Sequence, residues 1–339
     1  RMRLDVGGTM RAAVFEGYRT IRVRTVQKPE PQPGEVRIRV TYCAICGSDV
    51  SLFKTGMLAA PDQILGHEIV GVVDADPIGR WEPGTRVVAY PVRGCGKCLW
   101  CSEGKPRYCL EPPGSWGGLA EYVCYPSEHL ISVDDRLDDA AAALAEPFGV
   151  ALRAVEMSLA KPGDLAFVLG LGSLGCLAAS ALSAAGCRVI GADVREDRRS
   201  LGLEVGCWDV FDPSAEDPFW KLLAYDRHGP RIVFECSGAP EALQQAFNAT
   251  GHEGVVGILG IPFEPVVLIP AVISVKEQRA FSISGPSMRS MRRAVELLLE
   301  RPQTAKIITG AVPLEETETA FAALADGTGG VKVLVSPEA

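Results

Sequence analysis

The sequence has no apolar run of membrane-spanning length, no block of lysine and arginine, and few aromatics, 7% of its residues. The first absence removes a transmembrane helix from consideration, because crossing the hydrocarbon core takes about 20 consecutive apolar residues. The second, together with a net charge of −8 at pH 7, argues against nucleic acid or an anionic membrane as a partner, since both are bound through clustered cations. The stretch Arg1-Met-Arg-Leu-Asp-Val-Gly-Gly-Thr9 has no apolar signal core, so a cytoplasmic address is expected. Histidine is scarce as well, at four residues. His129, His228 and His252 sit in contexts that suggest no role.

Cysteine is plentiful. Eleven of them, an odd number in a chain with no secretory signal, argue against a disulfide framework and for metal ligation. The length of 339 residues allows two domains, and 47% hydrophobic with 22% charged residues describes a globular chain with an Ala/Val/Leu core.

Residues 1–9 show no periodicity and read as a leader. From Met10 the pattern is of short alternating strands, at Arg11–Phe15, Ile21–Val26, Glu35–Val40, Ile69–Val73 and Thr85–Tyr90, separated by turns such as Pro29-Glu-Pro-Gln-Pro-Gly34. Closely spaced short strands predict a barrel-like β domain. After Leu137 the chain turns Ala-rich and helical over 138–155, with a break expected at Pro147. Strands and helices then alternate, with strands at Trp208–Phe211, Arg231–Phe234, Gly254–Leu259 and Ala280–Ile283 and helices at Arg195–Val205, Pro240–Ala249 and Ser287–Glu300. Such alternation predicts a parallel, doubly wound sheet. The last stretch, 305–336, returns to strands and short helices and is expected to rejoin the first domain.

Cys95, Cys98, Cys101 and Cys109 fall within fifteen residues as C-x2-C-x2-C-x7-C. Four thiolates so close can close a tetrahedral cage around zinc with no open position for chemistry, an iron–sulfur centre being the alternative. Such a structural zinc would brace a lobe with little core of its own.

The apolar run Leu165–Leu169 breaks into Gly170, Gly172 and Gly175, spaced G-x-G-x-x-G, and a helix-length segment follows. Gly170 permits a sharp turn, Gly172 lets backbone approach a pyrophosphate, and Gly175 lets the helix pack on its strand, with the phosphates at the helix N-terminus. The next strand ends in Asp193, where a carboxylate accepts hydrogen bonds from an adenosine ribose, which favours NAD over NADP. Arg195, Arg198 and Arg199 follow closely and weaken that preference. The remaining cysteines, Cys43, Cys124, Cys176, Cys187, Cys207 and Cys236, read as small apolar residues.

A second metal-ligating set is dispersed: Cys46 in Cys46-Gly-Ser-Asp49, His67 and Glu68 in Gly66-His-Glu68, and Glu146 in Ala145-Glu-Pro147. A thiolate, an imidazole and a carboxylate make a mixed zinc site of the catalytic type, with one position free.

These motifs, with Gly117-Gly-Leu-Ala-Glu-Tyr-Val123 and Glu235-Cys-Ser-Gly238, occur in the order seen in zinc-dependent medium-chain alcohol dehydrogenases, which the chain resembles from Met10 onward. Glu146-Pro147 resembles most the sorbitol (polyol) and threonine dehydrogenase branch. The resemblance implies an α/β protein with a GroES-like β-barrel catalytic domain and an inserted doubly wound Rossmann domain. The expected divisions are a catalytic domain at 10–148 with its zinc lobe near 93–110, the NAD-binding domain at 149–285, and a C-terminal return at 286–339.

By this resemblance two zinc ions bind each subunit. Cys46 and His67 ligate the catalytic one, the third ligand is Glu68 or Glu146, and the other carboxylate holds water at the metal. Leu174, Arg198 and the Leu259-Gly260-Ile261 turn are placed against the cofactor, and Ser48 takes the proton of the substrate hydroxyl. Many relatives carry a histidine five residues after the first ligand, where this chain has Ser51, so the proton relay must end elsewhere. In sorbitol dehydrogenases an arginine near the last Rossmann strand assists polyol binding, where this chain has Ser284, Gly285 or Pro286.

The expected activity is hydride transfer between NAD+ and a small secondary alcohol (a polyol, cyclitol or amino alcohol) or its ketone. The alternatives are a threonine dehydrogenase-like activity, a sensor that kept the fold without turnover, and a zinc-free quinone reductase. A homodimer or homotetramer is implied.

Overall fold

The computed structural model describes residues 8–56, 62–111, 117–261 and 264–337. The chain divides into two compact units, one comprising Arg1–Glu146, Val295–Glu300 and Ile308–Ala339, the other Pro147–Ala294 and Arg301–Ile307. Its strands, in order, are β1 (Thr9–Gly17), β2 (Thr20–Gln27), β3 (Glu35–Ala44), β4 (Gln63–Ile64), β5 (Glu68–Ala75), β6 (Arg86–Ala89), β7 (Tyr122–Pro126) and β8 (Leu130–Ser132). They continue as β9 (Leu165–Leu169), β10 (Arg188–Ala192), β11 (Asp209–Phe211), β12 (Ile232–Glu235), β13 (Val255–Ile258), β14 (Arg279–Ser282), β15 (Ile308–Pro313) and β16 (Lys332–Ser336).

Of the expected leader, residues 1–7 lie outside the described residues, and Thr9 does not belong to it. Thr9 opens β1 and pairs with Gln27, because the inward alternation of Met10, Ala12 and Val14, all buried, already commits the strand there.

The first unit holds a three-stranded sheet in the order β2-β1-β4 and a seven-stranded one in the order β15-β16-β3-β5-β6-β8, with β7 paired to β3. Strand β3 is its spine. Val36, Ile38 and Val40 are each 0% exposed, a period of two that turns one face into the core, each burial being worth about 1.5–3 kcal/mol. The register matters for function. Ala44 at the end of β3 pairs with Glu68 at the start of β5 on one side and with Leu334 near the start of β16 on the other. The residues just beyond these strand ends therefore converge at one edge of the sheet.

The second unit is a six-stranded, wholly parallel sheet in the order β11-β10-β9-β12-β13-β14. Counted within the unit this is 3-2-1-4-5-6, the order of a doubly wound dinucleotide-binding sheet. All five residues of β9 are buried, as a strand covered on both faces requires. The order reverses between β9 and β12, where Leu169 pairs with Glu235. The crevice beyond those two strand ends is where ligands bind in such sheets.

The break expected at Pro147 is not there. Two helices, Asp139–Ala142 and Ala145–Ser158, divide the stretch before it, and Pro147 lies in the first turn of the second, where its missing N–H has no carbonyl to bond. No described helix is long and apolar enough to cross a membrane.

Candidate active site and metal centres

The end of β3 delivers Cys46, which caps the helix Gly47–Thr55. Across the sheet the turn into β5 delivers His67 and Glu68. One donor atom from each of Cys46, His67 and Glu68 lies within 4.8 Å of the others. Tetrahedral zinc, with bonds of about 2.0–2.3 Å, holds its donors roughly 3.3–3.8 Å apart, so the span and the mixed sulfur, nitrogen and oxygen set fit a catalytic zinc.

The surroundings are those of a metal site. Asp49 is 0% exposed, its carboxylate oxygens have no hydrogen-bond partner among the described residues, and Oδ2 lies 3.5 Å from His67 Nδ1. A carboxylate behind an imidazole fixes the ring and raises its basicity as a ligand. Burial alone would push the His67 pKa down, but Asp49 and the Cys46 thiol outweigh it and hold it well above the usual histidine range. Ser48 Oγ donates to Cys46 Sγ at 3.2 Å.

Glu146, also buried, lies outside the three-donor cluster. Burial pushes its carboxyl pKa up, His67 opposes the shift and Glu68 adds to it.

Lys332, which no motif in the sequence marks, belongs to this site. It is 2% exposed, and its Nζ donates to Glu68 Oε1 at 2.9 Å, to Glu68 Oε2 at 2.8 Å and to the Ile45 carbonyl at 3.0 Å. Burial works against its charge, yet the Glu68 carboxylate more than compensates and raises its pKa. The signal in the sequence is a lone lysine in the otherwise apolar run Val331-Lys-Val-Leu-Val335.

The four-cysteine cluster forms as spaced. The Sγ atoms of Cys95, Cys98, Cys101 and Cys109 all lie within 4.8 Å of one another. Cys95 N–H donates to Cys109 Sγ at 3.3 Å and Cys98 N–H to Cys95 Sγ at 3.4 Å. The backbone N–H groups of Lys97 and Cys98 bring the Cys95 pKa down to about 6, which favours the thiolate a metal requires.

In the second unit the three glycines differ in what a side chain would meet. At Gly170, with φ +93°, a Cβ would fall 2.7 Å from Ser237 N, and at Gly175 it would fall 1.8 Å from the Gly170 carbonyl oxygen. At Gly172 the nearest atom is Arg198 Nη1 at 3.9 Å. Gly170 and Gly175 are thus demanded by packing, while Gly172 borders open space that fits a pyrophosphate at the N-terminus of the helix Ser173–Ala184. Leu174 lies in that helix's first turn.

Asp193, 6% exposed, accepts from Leu171 N–H at 2.8 Å and from Arg195 N–H at 2.9 Å. Arg198 Nη1 stands 3.8 Å from Asp193 Oδ2, while Arg195 pairs with Asp197 at 2.7 Å and Arg199 with Asp212 at 3.3 Å. Beyond β12, Glu235 Oε1 accepts from Ser237 N–H, Ser237 Oγ and Gly238 N–H. The Leu259-Gly260-Ile261 turn packs on that loop, since a Cβ at Gly260 would fall 2.4 Å from Gly238 N. Leu259 is buried there and Ile261 is 62% exposed. In the turn that follows β14, Arg153 Nη1 donates to the carbonyls of Ser284 and Gly285 at 3.1 and 2.9 Å.

The alcohol dehydrogenase GroES-like domain family matches residues 32–135, and the zinc-binding dehydrogenase family matches 173–300. The (R,R)-butanediol dehydrogenase of Bacillus subtilis (strain 168) is 31% identical over 347 residues, spanning 97% of this chain and 100% of the relative. The chain belongs to the zinc-dependent medium-chain alcohol dehydrogenase family. A sorbitol dehydrogenase of Halalkalibacterium halodurans is 30% identical over 343 residues, 97% of this chain and 99% of that one. A zinc-binding dehydrogenase of Sinorhizobium meliloti 1021, solved with NADP bound, superimposes with a TM-score of 0.87 at 30% identity, over 97% of this chain and 100% of the other.

This dehydrogenase is accordingly a zinc-dependent oxidoreductase of small-molecule alcohols that uses a nicotinamide dinucleotide, with a GroES-like and a Rossmann-type domain.

Proposed function

We propose that the dehydrogenase interconverts a small secondary alcohol of the polyol, cyclitol or amino-alcohol class and its ketone, with NAD+ as hydride acceptor. The clustering of Cys46, His67 and Glu68 within 4.8 Å carries this reading. Cys46, His67 and Glu68 would hold the catalytic zinc, with Glu146 beside them to orient water or a substrate hydroxyl. Cys95, Cys98, Cys101 and Cys109 would hold the structural zinc. Zinc, when bound, supplies the positive charge that makes a hydroxyl acidic, and the nicotinamide ring supplies the hydride acceptor.

The chain's own residues do the rest. Ser48 Oγ, which donates to Cys46 Sγ at 3.2 Å at rest, would turn its O–H away from the sulfur as it accepts the substrate hydroxyl proton, handing its own proton to the next group of the relay. Ser51 cannot ionise near neutral pH, so the relay ends on water or on another group. Gly170, Gly172 and Gly175 shape the phosphate cradle, with Leu174, Leu259, Gly260 and Ile261 bordering the cofactor. Asp193 accepts hydrogen bonds from the adenosine ribose and disfavours a 2′-phosphate by charge. Arg195 and Arg199 are paired to Asp197 and Asp212, which supports NAD over NADP, whereas Arg198, beside Asp193 itself, is the one cation of the three that weighs the other way.

The butanediol and sorbitol dehydrogenases among the relatives support a polyol substrate. A homodimer or homotetramer is supported by the exposed edge strand β14 and by Val267 and Val275, 84% and 75% exposed. The thiol ligands support a reducing, cytoplasmic setting. The division into residues 10–148 with 286–339 and residues 149–285 is supported in outline by the two compact units, which differ from it in grouping 286–294 and 301–307 with the second unit. Following NAD+ reduction against a panel of secondary alcohols, with and without a chelator, tests the reading. Turnover that survives loss of all zinc would overturn it.

A further inference from the structure

We propose that Lys332 is a positioning residue for the catalytic metal: its ammonium clasps together the two chain segments that carry the ligands and holds Glu68 in place for the ion. The inference rests on the reading of Cys46, His67 and Glu68 as that ion's ligands.

Burying a lysine in a strand is costly unless every donor is used and the charge is met. Here both conditions hold. The ammonium has three protons, and it makes three bonds, to Glu68 Oε1, Glu68 Oε2 and the Ile45 carbonyl. Ile45 immediately precedes Cys46, and Glu68 immediately follows His67. A single atom from β16 therefore ties the Cys46 segment to the His67-Glu68 segment, 264 positions away from Glu68 in sequence. The strand register makes this possible, because Ala44 pairs with both Glu68 and Leu334 and Ile45 N–H donates to the Val333 carbonyl at 2.9 Å.

Charge decides the direction of the effect on the metal. A nearby cation might be thought to repel zinc. The site, however, holds four acidic groups, at Cys46, Asp49, Glu68 and Glu146, the last three each 5% exposed or less. Without the ammonium, Glu68 loses both contacts that hold its carboxylate oxygens in place, and a ligand free to turn away holds a metal less tightly. Partners that orient a metal's ligands typically carry 10–100-fold in metal affinity.

The test measures zinc release from the holoenzyme to a colorimetric chelator, together with the thiolate-to-metal charge-transfer band of the cobalt-substituted enzyme. Lys332→Met is expected to release one of its zinc ions about 10–100-fold faster than wild type while the other leaves at the unchanged rate, and to shift the cobalt band. Lys332→Arg, which keeps the charge, is expected to restore most of the retention. Lys332→Gln keeps a donor for Ile45 or Glu68 and serves if the methionine variant does not fold. A neutral variant that holds both zinc ions at the wild-type rate, with an unshifted band, overturns the clasp. Wild-type enzyme with zinc only in the four-cysteine lobe overturns the ligand reading instead, and the clasp with it.

Discussion

The Leu171 N–H donates to Asp193 Oδ2 at 2.8 Å, so the residue between the first two glycines of the phosphate turn is tied to the acid at the end of the next strand. The turn proposed to cradle the phosphates and the carboxylate proposed to bind the ribose are thus joined directly.

That bond separates two roles of Asp193. Asp193→Asn keeps an acceptor for Leu171 but removes the charge. It is expected to lower kcat/KM with NAD+ by about 10–100-fold, the worth of a hydrogen bond to a charged group, to narrow the gap to NADP+, and to leave the fold intact. Steady-state kinetics with both cofactors checks it.

The glycines of the turn should part company. Gly172→Ala is expected to fold, at a cost of about 1 kcal/mol for the weaker helix cap, and to bind NAD+ markedly less tightly, because the added methyl enters space left for the phosphates. Gly175→Ala, whose Cβ would sit 1.8 Å from a carbonyl oxygen, is expected to destabilise the protein itself. Thermal unfolding beside NAD+ titration distinguishes the two.

Removing one sulfur from the lobe should unfold it locally. Leu99, Tyr108 and Leu110 are 67%, 47% and 90% exposed, so little apolar burial is left to hold the segment once the metal is gone. Cys98→Ser is expected to lose one zinc, to become sensitive to proteolysis between residues 95 and 110, and to keep the ion at Cys46. Metal analysis with limited proteolysis reports all three.

At the relay position the sign follows from the side chain. Serine contributes no ionisation near neutral pH, whereas Ser51→His is expected to add one near the ordinary histidine value of about 6.5 to the pH profile of alcohol oxidation, with the rate rising as that group loses its proton. An unchanged profile and rate in the variant would remove support for a relay through this position.

Much of this was legible in the sequence because its carriers are rare residue types at fixed spacing. The four cysteines of the lobe, the three glycines and Asp193 each mark themselves, and the structure brings Cys46, His67 and Glu68 together across β3 and β5. Lys332 did not mark itself. A lysine has no ligand signature, and its contact with Glu68 exists only through the pairing of β16 with β3, which no local pattern encodes. The short helices Pro218–Leu223 and Pro270–Val275 went unread for a related reason, since six residues are too few to display a helical period. Pro147 misled because proline breaks a helix interior but suits a first turn.

The central claim is that a metal held by Cys46, His67 and Glu68 makes the substrate hydroxyl acidic. Elemental analysis of fully active enzyme, paired with Cys46→Ala, tests it most directly. Two zinc ions per subunit are expected in the wild type, one for each cluster, and one in a folded, NAD-binding but inactive variant. Full activity with fewer than two, or an active Cys46→Ala, would contradict it.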